Sequence, residues 1–132
     1  MFSKHFTPQE ANKRLPLIKK IVGEILSHAR SLRAMAGRDK AGLASPDRER
    51  LEAEIEVLMR ELETLGCFYK DWNFQIGLVD FPAVIDGREV MLCWRSDEER
   101  IEWYHGLEDG YSGRQPISPK MFANEPTKRG VR

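Results

Sequence analysis

The 132-residue chain balances 21 Lys and Arg against 21 Asp and Glu, so no net charge draws it to nucleic acid or anionic lipid. Its 41% hydrophobic share suits one modest core, and no apolar run approaches the ~18–20 residues that span a bilayer. Two cysteines are too few for a disulfide scaffold, and the polar start "MFSKHFTPQEANKR" lacks a signal-peptide core, which together predict a cytoplasmic protein with reduced thiols.

Residues 7–66 read as a helical hairpin. Thr7 suits a cap, Pro8 the first helical position, and Glu10 can close a capping box. Apolar residues then recur at Ala11, Leu15, Ile18, Val22, Ile25, Ala29, Leu32 and Ala36. Steps of four and three mark one buried stripe. Pro16 cannot donate to the carbonyl of Asn12, yet the stripe keeps its phase across it. One bent helix is predicted, followed by a break at "GRDKAGLA", Gly37–Ala44. Ser45 and Pro46 restart the pattern, Leu51, Ile55, Leu58, Leu62 and Leu65 continue it, and Gly66 ends it.

Charge supports pairing of these helices. Residues 1–44 hold nine Lys and Arg against three Asp and Glu, whereas residues 45–66 hold three against seven. Opposite signs attract, and the acidic helix offsets the basic one as a nucleic-acid surface. His5 and His28 read as ordinary polar-face residues. Further apolar residues lie off the stripes: Leu17, Ile21, Leu26 and Met35 on the first helix, Val57 and Met59 on the second. They predict a homodimer through the hairpin, since an exposed apolar patch this extensive is uncommon on a monomer.

Residues 67–117 change character. "CFYKDW" and "GLVDF" are strand-like, and "AVIDGREVMLCW" is a hairpin around Asp86-Gly87. Val90, Leu92 and Trp94 fall on one strand face, with Glu89, Met91, Cys93 and Arg95 on the other. Ser96 and Glu99 fit a second capping box and predict a third helix that carries Ile101, Tyr104 and His105 on one face. "GLEDGYSGRQPI" reads as a Gly-rich loop, and residues 118–132 as a flexible polar tail. The expected fold is α+β: a long antiparallel helical hairpin, then a small antiparallel sheet and a short helix, in one domain over residues 1–117.

Four motifs in order, "FTPQEANKRLP", "GLVDFPA", "GREVMLCWR" and "GYSGRQPI", resemble a bacterial family, domain of unknown function 2203, from Phe6 to about Ile117. The resemblance implies a relative and no activity. Asp80, Arg88, Trp94, His105 and Arg114 match polar or aromatic places in its motifs.

Asp80, Arg88, His105 and Arg114 are the candidate ligand-binding residues. Gly110 and Gly113 permit tight turns whose N–H groups could converge on an anion beside Arg114, although the strand–loop–helix setting of phosphate motifs is missing. The plainer reading has Arg114 pair with Asp80 or Glu108 and pin the loop. Cys67, Cys93, Asp80 and His105 are metal-ligand types, but without a C-x-x-C or H-x-x-x-H pair the sequence assigns no metal. A Cys93–His105–Asp80 nucleophilic arrangement has no flanking signature. Catalytic residues and cofactor stay unassigned. The leading expectation is a non-enzymatic interaction and oligomerisation module. The alternative is a small-ligand- or metal-binding protein or enzyme with a pocket near Asp80, His105 and Arg114.

Overall fold

The computed structural model describes Phe2 and residues 4–38, 45–71 and 73–123. Helix α1 runs Pro8–Arg38 and continues through Pro16, as the unbroken stripe predicts. Its start is a capping box: Glu10 N–H donates to Thr7 Oγ1 at 3.1 Å, and Thr7 N–H donates to Glu10 Oε1 at 3.0 Å. Helix α2 runs Pro46–Thr64 and begins where Ser45 accepts a hydrogen bond from Arg48 N–H. Gly66 follows at φ 98°, a backbone that a side chain would strain. The helices run antiparallel. His28 faces Glu54 at 3.3 Å, while Leu17 shares a groove with Thr64 and Leu65. Most of the predicted break, residues 39–44, lies outside the described residues.

Five strands follow: β1 (Phe68–Tyr69), β2 (Leu78–Ile85), β3 (Arg88–Arg95), β4 (Trp103–Gly106) and β5 (Gln115–Pro116). Each pairs antiparallel with its sequence neighbour, giving a meander. Asp86 and Gly87 form the predicted turn, with φ 53° and 78°, and Ile85 stands opposite Arg88. Helix α3 (Pro119–Ala123) sets Met121 and Phe122 against the core, so the stretch read as tail begins with a helix. Residues 124–132 lie outside the described residues.

The third helix predicted from Ser96 does not form. Trp103–Gly106, with Tyr104 and His105, is instead strand β4 on the edge of β3. Ser96 Oγ accepts from Gly77 N–H rather than capping a helix. Glu98 is drawn into a turn, its backbone N–H on the Arg95 carbonyl and its carboxylate on Arg95 N–H. The deciding force is the row of backbone groups that β3 would leave unpaired, and Trp-Tyr-His suits the strand that pairs them.

The inner sheet face is the core. Val79, Phe81, Ala83, Leu92 and Trp94 are at most 1% exposed and join Ile18, Val22, Ile25 and Leu62 from the helices. Gly77 lets α1 approach closely, because a Cβ there would lie 2.4 Å from Val22 Cγ1. Asn12 locks the other end of the packing. Its amide accepts from Ile101 N–H at 2.8 Å and donates to the Ile101 carbonyl at 3.1 Å. Among the described residues no helix is long and apolar enough to cross a membrane.

Candidate functional site

Alternation along the strands sends every second side chain to the outer face, away from the helices. Those side chains are Asp80 and Pro82 on β2, Met91 and Cys93 on β3, and Trp103 and His105 on β4. The middle of this face is also buried, although Val84 near the hairpin turn is 52% exposed. Met91 is 6% exposed and Cys93 1%, against the simple expectation of one buried and one wet face. Two of its charged-type side chains are buried with them: Asp80 at 5% and His105 at 4% exposed.

Register brings these groups together. Asp80 stands opposite Cys93, Cys93 opposite Trp103, and Met91 opposite His105. His105 is thus the diagonal neighbour of Cys93, within the reach of a long side chain. One ligand atom each from Asp80, Cys93 and His105 lies within 4.8 Å of the others. His105 Nε2 is 3.2 Å from both Asp80 carboxylate oxygens. Nδ1 is 2.7 Å from the Gly106 carbonyl, which only accepts, so Nδ1 carries a proton. The hydrogen bond to Asp80, with a second to Cys93, raises the His105 pKa to about 10 against the opposing effect of burial. With no ion bound, the carboxylate thus favours the protonated imidazole.

Arg114 closes one side. Its guanidinium makes a two-pronged pair with Glu98, both contacts 2.7 Å, and donates to the Cys93 carbonyl at 3.0 Å. It lies 5.1 Å from the Trp103 ring centre and 4.8 Å from that of Tyr111. Arg114 thus pins the loop to the sheet, with Glu98 as its acid partner where Asp80 or Glu108 was expected. The turn at Tyr111–Gly113, preceded by Gly110 at φ 67°, presents Arg114 to Glu98.

The four candidate residues divide. Asp80, His105 and Arg114 gather on one face around Cys93. Arg88 is exposed beside the hairpin turn, five residues or roughly 17 Å along β3 from Cys93. Cys67 lies elsewhere, its thiol 3.5 Å from the Leu62 carbonyl, and burial pushes its pKa up to about 12. An un-ionised buried thiol of this kind is inert packing. Glu98 and Asn12 carried no signal beyond their polarity, and only the fold shows what they hold.

A second feature lies on the hairpin. Leu17, Ile21, Val57 and Leu65 line an apolar groove of about 420 Å³ between α1 and α2. Leu17 is 45% and Val57 47% exposed, whereas Ile21 is its buried floor. Leu26 and Met59 pack against the core instead.

Helical hairpin, antiparallel meander and closed polar cluster together define an α+β protein with two distinct surfaces. The chain belongs to the family described as Uncharacterized conserved protein (DUF2203), whose model matches residues 4–117. No curated protein and no solved structure matches it.

Proposed function

We propose that this protein is an assembly module of the bacterial cytoplasm that pairs with a second copy through the exposed side of its helical hairpin. The observation that carries this reading is the groove between α1 and α2, where Leu17 and Val57 stay about half exposed on otherwise charged helices. Removing such side chains from water stabilises by roughly 25 cal/mol per Å² of apolar surface, and a second copy supplies the cover. Charge supports self-pairing. Pro8–Arg38 holds seven Lys and Arg against two Asp and Glu, and Pro46–Thr64 three against seven. A two-fold axis running along the groove sets α1 of each copy against α2 of the other, so unlike charges meet at both rims, whereas an axis across the helices would oppose like charges. Two free, buried thiols are in keeping with a reducing compartment.

Light scattering over a dilution series tests the reading. A mass near twice 15.3 kDa that falls on dilution is expected. Leu17→Glu combined with Val57→Glu should leave the monomer at every concentration. A wild-type mass near 15.3 kDa throughout the micromolar range rejects the pairing. Ile21 is a poor probe, since as the buried floor it also serves the fold.

A further inference from the structure

We infer that Asp80, Cys93 and His105 form a binding site for a zinc-class divalent metal ion, with these three side chains as its protein ligands. The inference is independent of the hairpin and stands on four observations about the outer sheet face.

The first is convergence. An oxygen, a sulfur and a nitrogen from three adjacent strands lie within 4.8 Å of one another. Ligands about 2.0–2.3 Å from a tetrahedral ion stand roughly 3.3–3.6 Å apart. His105 Nε2 and Asp80 are already 3.2 Å apart, close to that spacing, and no pair in the set exceeds 4.8 Å, so a small side-chain movement brings all three onto one ion.

The second is the use of the two imidazole nitrogens. Nδ1–H is held by the Gly106 carbonyl at 2.7 Å, which fixes the ring and leaves Nε2 facing the cluster. A backbone carbonyl on the far nitrogen is the usual companion of a metal-binding histidine. The same fact argues against a nucleophilic triad. A relay needs one ring nitrogen on the thiol and the other on the carboxylate. Here the carboxylate takes Nε2 and the backbone takes Nδ1.

The third is the donor set. One thiolate, one imidazole and one carboxylate suit zinc and its neighbours, and magnesium or calcium would avoid the sulfur. Two anionic ligands with a neutral imidazole also balance a divalent charge, as a buried site requires. The fourth is rigidity. All three ligands sit on paired strands rather than on loops, and Arg114, held by Glu98, bonds the backbone of Cys93. Such support keeps the ligands in place before the ion arrives.

Chelator-stripped full-length protein titrated with cobalt(II), then with zinc(II), tests the site. One equivalent of cobalt should bind, with the intense visible bands of a four-coordinate ion and a near-ultraviolet thiolate-to-cobalt band. Zinc should displace it. Cys93→Ser should abolish the thiolate band, whereas Cys67→Ser should keep it. Asp80→Asn preserves shape and should weaken zinc binding by about tenfold or more. Circular dichroism establishes that each variant is folded. If Cys93→Ser fails to fold, Asp80→Asn and Cys67→Ser carry the decision. The proposal is overturned if folded wild-type protein gives no thiolate-to-cobalt band. It is equally overturned if the band survives Cys93→Ser, vanishes with Cys67→Ser, or if Asp80→Asn binds zinc as wild type does.

Discussion

The helical hairpin and the sheet each bury an apolar face, but their other faces differ. The far side of the hairpin is charged and wet except for the groove at Leu17 and Val57. The middle of the sheet's far side is buried, with Asp80, Cys93 and His105 side by side and Arg114 set over the Trp103 ring next to Cys93. Exposed apolar surface favours an association that removes it from water. Buried polar groups are costly unless each has a partner, and here Asp80 and His105 partner each other on a face that leucines would fill at lower cost. The two proposals divide along this contrast, association on the hairpin and metal binding on the outer sheet face.

The largest expected effect lies where the two regions meet. Trp94 is 1% exposed, and its indole N–H donates to the Glu98 carbonyl at 2.8 Å. Trp94→Ala should cost about 3–5 kcal/mol and Leu92→Ala about 2–5, read from denaturant midpoints. Losses under about 1 kcal/mol would mean that helices and sheet do not share this core. Asn12→Leu removes the bridge to both backbone groups of Ile101, leaving a donor and an acceptor unmet. It should cost about 1–3 kcal/mol by the same melts.

The sheet's outer face should also respond to pH when metal is stripped away. His105 is held as a cation by Asp80 on β2 and Cys93 on β3, with its pKa raised to about 10 from an unfolded value near 6.5. Its contribution is full below about 6.5, declines above it, and is gone once pH passes about 10, because the unfolded chain releases the proton first. Chelator-treated protein should therefore lose about 1 kcal/mol per pH unit between pH 7 and 10. His105→Gln should flatten that part of the profile, and an unchanged slope would contradict the pairing. The smallest effect belongs to the hairpin. Leu17→Glu should alter the stability of the isolated chain by less than about 0.5 kcal/mol while still disrupting association.

How much of this was legible follows the same division. Each helix of the hairpin declares itself locally, through stripe spacing and through the caps at Thr7, Glu10 and Ser45, whereas α3 lay in the stretch read as tail. The β2–β3 hairpin was equally local, and its turn already places Asp80 against Cys93, each six residues from the turn residue on its own strand. His105 was named as a candidate but placed on the wrong element. Ser96 and Glu99 imitate a helix start, and only the unpaired edge of β3, a nonlocal demand, turns Trp103–Gly106 into a strand. The convergence of three ligands thus depended on a pairing that no short spacing encodes. The partner of Arg114 was hidden for a similar reason, since Glu98 faces it only once the turn after β3 has formed.

Native mass spectrometry of zinc-reconstituted protein tests the division of labour most directly. The wild type should appear as a dimer with one zinc per chain. Leu17→Glu combined with Val57→Glu should give a monomer that keeps its zinc, and Cys93→Ser a dimer without it. A hairpin variant that loses zinc, a Cys93→Ser protein that falls to monomer, or a metal-free monomeric wild type would contradict it.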